Sequence, residues 1–172
     1  MQNCDYEMIR NYYRPDVIEI LFVGESRPKG GSFFFNEDSS LFRETKKAFD
    51  EYLGKNIFTL DSFKKWNCWL YDICEIPVNG LPDNERKNEI RRNIPYLEKF
   101  IESINPKYII VCKKTLVRDA IYSSNIMKKY RENETVFFLP HPSNGRQSEY
   151  REGLINALTK TKTTFNDFSA RY

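Results

Sequence analysis

The chemistry that this sequence can support centres on its only histidine, His141, which lies in the segment LPHPSNGR at positions 139–146. A neutral imidazole can donate a hydrogen bond to an anion that develops at pH 7. The segment begins at the end of an apolar run, Val136–Leu139. If the protein is an enzyme, these residue types indicate that its chemistry passes through His141. The alternative is a loop histidine held beside a proline turn.

A second candidate is the loop GESRPKGGSFFFN at positions 24–36, which also follows an apolar run. Its glycines allow backbone amides to approach a ligand closely. The loop lacks Gly-x-Gly-x-x-Gly, which dinucleotide sites need, and Gly-x-x-x-x-Gly-Lys, which nucleoside triphosphate sites need. Both of these sites are therefore excluded at this loop.

Composition indicates one globular domain over residues 1–172, with a core at about 17–158 and a tail at 161–172. The hydrophobic content of 40% is enough for a buried core. With 27 Lys and Arg against 24 Asp and Glu, the net charge of +3 is too small to imply nucleic-acid binding by itself.

The cysteines are spaced too widely for a zinc or iron–sulfur site, so we expect buried thiols and no cofactor; they are Cys4, Cys68, Cys74 and Cys112. The sequence shows neither a leader nor a long apolar span, so no membrane partner is expected. A reducing, cytoplasmic location fits this cysteine usage.

Four short apolar segments predict buried strands, and amphipathic stretches between them predict helices. The strands are expected at 17–23, 69–73, 108–112 and 136–139, and the helices at 41–53, 84–104, 114–131 and 148–160. This alternation predicts a three-layer α/β/α sandwich with a central four-stranded parallel sheet and a cleft beyond the strands' carboxyl ends. Pro95 predicts two consecutive helices, starting at Asn84 and at Pro95, instead of one.

The two candidate loops together resemble the motifs of the uracil-DNA glycosylase superfamily. The sequence has Gly24-Glu25-Ser26-Arg27-Pro28 after the first strand and His141-Pro142-Ser143 after the last, so the resemblance spans roughly 17–158. It implies an enzyme that flips a base out of DNA into the cleft and hydrolyses its N-glycosidic bond, the base being uracil or a related deaminated base. A monomer is expected. No cofactor is implied.

The resemblance also implies roles for the first and last loops. His141 would bond the base oxygen on which charge grows, and backbone amides around Gly24, Glu25 and Ser26 would cradle the base. An aromatic side chain would stack on the base, for which Phe35 is preferred over Phe34 and Phe33. Glu25 is either a water-orienting group or a surface carboxylate. Ser26 stands where the fastest branch has an aspartate, and serine is a poor base.

At the end of the second strand, where family members place a base-reading asparagine, two residues compete. Asn79 has the right side chain but lies far along the loop. Asp72 is better placed, and a carboxylate there would recognise a donor-bearing edge; alternatively, it caps a helix or closes a loop. Contacts to DNA are expected from polar and basic loop residues, namely Ser143, Asn144, Arg146, Arg27 and Lys29.

These departures from the family motifs leave a second function open. A protein of the same fold could bind a base, a nucleotide or a nucleic-acid end without breaking a bond. Ser26 and the absent strand asparagine support this binding-module alternative.

Overall fold

The computed structural model describes residues 3–112, 122, 124–161 and 165, with the side chains of residues 3 and 4 excepted. Four strands form one all-parallel sheet in the order β2-β1-β3-β4. Their bounds are Ile20–Ser26 for β1, Cys68–Cys74 for β2, Tyr108–Val111 for β3 and Val136–Phe138 for β4. The predicted α/β class and four-stranded parallel sheet are confirmed.

Helices pack around this sheet. They are α1 (Asn3–Tyr12), α2 (Ser40–Leu53), α3 (Leu60–Lys65), α4 (Asp83–Ile104), α5 (Asn125–Glu132) and α6 (Gln147–Thr161), with a 3₁₀ turn at Phe34–Asn36. The Ser39 side chain caps α2, and Thr59 forms a capping box with Ser62 at α3. Among these residues, none of the helices has both the length and the hydropathy that a membrane-crossing segment needs.

Strand β1 is apolar from Ile20 to Val23 because it is an interior strand with neighbours on both sides. Ile20, Leu21, Phe22 and Val23 are at most 1% exposed. Helix-covered parallel sheets bury both faces, which produces such continuous apolar runs. The strand continues past the expected end at Val23 to Ser26, so the Gly24–Ser26 part of the first motif is strand and not loop.

Helix α4 corrects the expectation of two helices around Pro95, because it runs unbroken from Asp83 to Ile104. Its buried residues share one face and face the sheet side; they are Ile90, Ile94, Leu97 and Ile101. Pro95 lies on the exposed face. Because proline has no N–H, the carbonyl four residues earlier lacks its usual helical hydrogen bond. On the exposed face of the helix, water can hydrate that carbonyl instead.

Local patterns did not indicate α1, α3 or the 3₁₀ turn, which are short. Part of the expected helix at 114–131 lies outside the described residues, and the structure gives α5 for its second half. The expected tail at 161–172 is described only at residues 161 and 165, where Phe165 packs against Phe49 and Trp66.

Strand order places a ligand cleft at one point of the sheet. The chain passes from β1 to β2 on one side and reaches β3 and β4 on the other side. Segments that leave the carboxyl ends of β1 and β3 therefore diverge, and open α/β sheets bind ligands in the crevice that this divergence leaves.

Helices α2 and α6 pack together through a buried polar contact. The hydroxyls of Thr45 and Tyr150 are 2.7 Å apart. Both residues are completely buried. This hydrogen bond fixes α6, which follows the His141 loop, against α2, which follows the first loop.

We expect Tyr150→Phe to lower the free energy of unfolding by about 1 to 3 kcal/mol, because it leaves the buried Thr45 hydroxyl without its partner. Chemical denaturation measures the effect. The control is the double variant Thr45→Val/Tyr150→Phe, which removes both hydroxyls and should be more stable than the sum of the two single changes. Additive losses would contradict a direct hydrogen bond.

Candidate active site

A cleft of about 430 Å³ opens at the carboxyl edge of the sheet, between the ends of β1 and β3. Residues from all four strand ends line it. They include Gly24, Glu25, Ser26, Asp72, Asn79, Cys112, His141, Ser143 and Asn144. The two loops singled out in the sequence thus face one cavity, although they are separated by more than a hundred residues.

The half-buried His141 lies on the turn that follows β4. Its Nδ1 is 3.1 Å from the Ser143 hydroxyl, and its carbonyl accepts a hydrogen bond from the Ser143 amide at 2.8 Å. The turn ends with Asn144 and Gly145 at positive φ, 53° and 80°. A Ser143 hydroxyl that donates to Nδ1 places the proton of a neutral imidazole on Nε2, which makes Nε2 a donor.

Glu25 is neither an exposed surface carboxylate nor a solvated base. It is 8% exposed, and both of its carboxylate oxygens accept hydrogen bonds from the Arg86 guanidinium, with Nη2 to Oε2 at 2.6 Å. Hydrogen bonding to Glu25 raises the pKa of Arg86 above its ordinary value. The bidentate ion pair joins the end of β1 to the first turn of α4.

Two further hydrogen bonds tie the first loop to the loop after β2. The Ser26 hydroxyl accepts from the Val78 amide at 3.2 Å. The Asn79 side-chain carbonyl accepts from the Lys29 amide at 2.9 Å. The cleft-lining Ser26 and Asn79 thus hold the two loops together, which is a positioning task.

Asp72 lies on β2 directly beside Gly24 of β1, with which it is in register. Its carboxyl group occupies the space that a side chain at position 24 would need, because a β-carbon there would overlap it. Burial raises the pKa of Asp72 to about 6, and nearby Arg10 opposes that rise. Asp72 therefore caps no helix; it lies at the floor of the cleft.

The three phenylalanines require a correction. Phe35, the preferred stacking residue, packs on Tyr13 with ring centroids 6.1 Å apart and lines neither the main cleft nor its side cavity. Phe33 and Phe34 line a side cavity of about 50 Å³ together with Asp72 and His141. The 3₁₀ turn that starts at Phe34 directs Phe35 away from the cleft.

The residues expected to contact DNA fall into two groups. Ser143 and Asn144 line the cleft, and Arg27 borders its side cavity, with its guanidinium 4.1 Å from the centroid of the Tyr6 ring. Arg146 pairs with Glu149 at the start of α6, and Lys29 lies against Gly80; neither lines the cleft.

The thiols of Cys68, Cys74 and Cys112 are reduced and buried. Burial raises the pKa of Cys74 and that of Cys112 to about 12, so neither is a nucleophile near neutral pH. Cys112 contributes to the cleft wall at the end of β3.

The fold and the cleft define an α/β protein with a ligand site at the switch point of a parallel sheet. A family model described as the uracil DNA glycosylase superfamily matches residues 11–167. The chain therefore belongs to that superfamily, a DNA glycosylase type of family whose members act on DNA. A comparison with curated protein sequences finds no match.

Sequence reasoning missed Arg86, although it holds the first motif. No local signal marks it, because it lies within a charged helical turn and its partner is 61 residues away. The only usable hint is that a carboxylate next to a buried strand needs a cationic partner.

Arg86→Ala should destabilise the fold by about 3 kcal/mol, because it leaves the buried Glu25 carboxylate without its cation. Thermal and chemical unfolding measure this loss. Arg92→Ala is a matched control on the same helix, since Arg92 is 77% exposed and its contact to Glu89 is 3.5 Å long; we expect a change within about 0.5 kcal/mol. Equal losses in both variants would contradict the proposed anchor.

Proposed function

We propose that this protein hydrolyses the N-glycosidic bond of uracil or a related deaminated base in DNA, with His141 as the group that stabilises the leaving base. The observation that supports this most is that His141 and the Gly24–Ser26 segment line the same cleft. Membership of the superfamily supports a DNA substrate. The reaction needs no metal or cofactor in this proposal.

The charge that develops during the reaction explains why a single histidine is expected to have a large effect on the rate. Cleavage passes through an oxocarbenium-like sugar, so negative charge accumulates on the departing base. A donor fixed at the base oxygen stabilises that charge. In the proposal, the Ser143 contact at Nδ1 orients the imidazole, and Nε2 donates to the base.

The base would enter between the strand ends, where backbone groups of Gly24, Glu25 and Ser26 approach it. Phe34 is the preferred stacking residue because it is a rigid ring beside both His141 and Asp72. Its ring packs against those of Phe42 and Phe63, and the ring centroids are 5.5 Å apart in both pairs. Phe33 borders the same side cavity and is the second choice.

Glu25 is proposed to act through position and not as a proton acceptor. Its two oxygens accept from Arg86, which lowers their capacity to take a proton from water. The pair instead fixes the backbone at the end of β1, whose amides face the ligand. Water would then be oriented by the polar lining of the cleft, in which Ser26 and Asn144 take part.

A binding module of the same fold remains the second candidate. Two observations favour it. The Ser26 hydroxyl, which is a poor base, accepts from the Val78 amide, and the Glu25 carboxylate is paired with Arg86, so neither side chain offers a strong base to a water molecule. Such a protein would hold a base in the cleft without breaking a bond.

The test is His141→Ala on labelled oligonucleotides that carry uracil, hypoxanthine, xanthine or a thymine mismatch, with alkaline scission at abasic sites. Loss of the donor should slow cleavage about a hundred- to a thousand-fold. His141→Gln, which keeps a side-chain donor, should lose less. Glu152→Ala, an exposed change on α6, is the control and should cleave like the parent.

Cleavage by His141→Ala at the parental rate would refute the proposed mechanism. Tight binding of the parent to these oligonucleotides without any abasic product would instead support the binding module. Thermal unfolding of each variant shows whether a loss of activity reflects a loss of folded protein.

A further inference from the structure

Helix α1 lies largely outside the part of the chain that the family model matches, yet it contacts the first loop of the site. The match begins at residue 11, whereas α1 spans Asn3–Tyr12. The contact is made by Tyr6, which is 9% exposed. The match to the superfamily therefore does not account for what α1 does beside the cleft.

Tyr6 contacts the loop after β1 at three points, all between positions 27 and 33. The guanidinium of Arg27 lies 4.1 Å from the centroid of the Tyr6 ring, which is a cation–π distance. The Phe33 ring meets the Tyr6 ring edge to face, with the centroids 5.0 Å apart. The Tyr6 hydroxyl donates a long hydrogen bond to the Gly31 carbonyl at 3.4 Å. One side chain of α1 thus contacts both ends and the middle of loop 27–33.

Loop 27–33 has little regular structure of its own. It contains neither helix nor strand, and its backbone turns where the Gly31 amide donates to the Pro28 carbonyl at 3.1 Å, with Gly31 at a φ of 86°. Two adjacent glycines, Gly30 and Gly31, give an open form of the loop a large conformational entropy. Contacts from other elements must therefore select the closed conformation.

Two side chains outside α1 also bond this loop. Asn79 accepts from the Lys29 amide at 2.9 Å, and Asp38 accepts from the Phe33 amide at 2.6 Å. Both act on the backbone. Tyr6, in contrast, acts on the side chain of Arg27 and on the ring of Phe33, and these are the groups that face the site.

Helix α1 is itself fixed on the edge strand β2. The Trp69 indole N–H donates to the Arg10 carbonyl at 3.2 Å, and the Arg10 guanidinium lies 5.6 Å and 5.5 Å from the ring centroids of Trp69 and Tyr71. The same guanidinium pairs with Glu7, with Nη2 to Oε2 at 2.7 Å. Because Tyr6 and Arg10 are four residues apart, they share one face of the helix. Helix α1 therefore connects β2 with the first loop.

The two side chains that Tyr6 contacts form part of the wall of the site. Arg27 and Phe33 line the side cavity together with His141. A further cavity of about 70 Å³ lies between this loop and α1, and Tyr6 and Arg10 are among its lining residues. Without the Tyr6 ring, Arg27 and Phe33 would have room to move away from the cleft.

We propose that Tyr6 is a positioning residue of the site: it holds loop 27–33 in the conformation that closes the cleft wall, so that the wall is formed before a ligand binds. Tyr6 acts through Arg27 and Phe33 and touches no reacting atom. A loop that is open for part of the time weakens apparent binding in proportion to its closed fraction, whereas the chemistry of the bound state is unchanged. This role rests on the proposed function for its substrate, but closure of the loop can be measured without catalysis.

The kinetic test uses Tyr6→Leu, which removes the ring and keeps an apolar side chain that suits a helix. On an oligonucleotide that carries uracil, we expect KM to rise about 3- to 10-fold and kcat to stay within about 2-fold of the parental value. A loss of folded protein would lower kcat and leave KM unchanged, so this split separates positioning from stability. Tyr6→Phe keeps both ring contacts and should restore the parental KM.

The matched control is Tyr12→Leu, the same change on the same helix. Tyr12 is 68% exposed, and its ring lies against that of Tyr13, with the centroids 4.9 Å apart. It has no part in the contacts to loop 27–33. We expect its KM and kcat to match those of the parent.

Limited proteolysis with trypsin measures closure of the loop directly. Lys29 is exposed within the loop, and cleavage after it requires the loop to open. Tyr6→Leu should accelerate this cut about 10-fold relative to the cut after Lys55, which lies between α2 and α3. Global unfolding exposes both sites alike, so the ratio of the two rates cancels it. Tyr6→Phe and Tyr12→Leu should leave the ratio unchanged.

The two proposals fail in different ways. A parent that cleaves no oligonucleotide refutes the proposed function, and the trypsin ratio alone then supports or overturns the role of Tyr6. For a parent that cleaves, an unchanged KM or an unchanged trypsin ratio in Tyr6→Leu overturns that role. A Tyr6→Phe variant as impaired as Tyr6→Leu overturns it too. If Tyr6→Leu does not fold, Tyr6→Met, which has a long apolar side chain without a ring, is measured against the same expectations.

Discussion

The parallel register of β1 with its two neighbours is the constraint on which the site depends. It pairs Gly24 with Asp72 and Val23 with Val111, so the cleft floor and the end of β3 lie at one level. A slip by one residue would turn every side chain of β1 to the other face of the sheet. Such a slip is costly because it would bring Glu19 or Gly24 into the completely buried run from Ile20 to Val23 and would disrupt the close packing of these side chains.

Polar contacts beyond the strands then preorganise the loops. The Glu25–Arg86 pair, the Ser26–Val78 bond and the Asn79–Lys29 bond all join the segment after β1 to the chain around and after β2. Glu25, Ser26 and Asn79, whose residue types suggest catalysis or base binding in the sequence, thus hold the loops in position. Backbone amides and the polar side chains of the cleft, among them Asp72, His141 and Asn144, then lie on fixed backbone segments, and prepositioned dipoles are effective in stabilising charge.

Local patterns were enough to predict the four strands, the parallel sheet and the facing loops of Gly24 and His141. They did not predict the features that depend on tertiary packing. The direction of Phe35 depends on a 3₁₀ turn and on packing against Tyr13. The continuity of α4 across Pro95 depends on the buried face of the helix opposite the proline. Arg86 pairs with a carboxylate that is 61 residues away in the sequence. The place of Asp72 at the end of β2 follows from the local pattern, but its contact with Gly24 depends on strand pairing, which a single sequence does not encode locally.

In the proposed reaction, His141 donates to a carbonyl oxygen of the base, and backbone amides at the end of β1 donate nearby. Uracil and xanthine carry a carbonyl on each side of one ring N–H, whereas hypoxanthine carries a single carbonyl. Because buried polar groups left unpaired are costly, the cleft should discriminate by hydrogen-bond pattern more than by ring size.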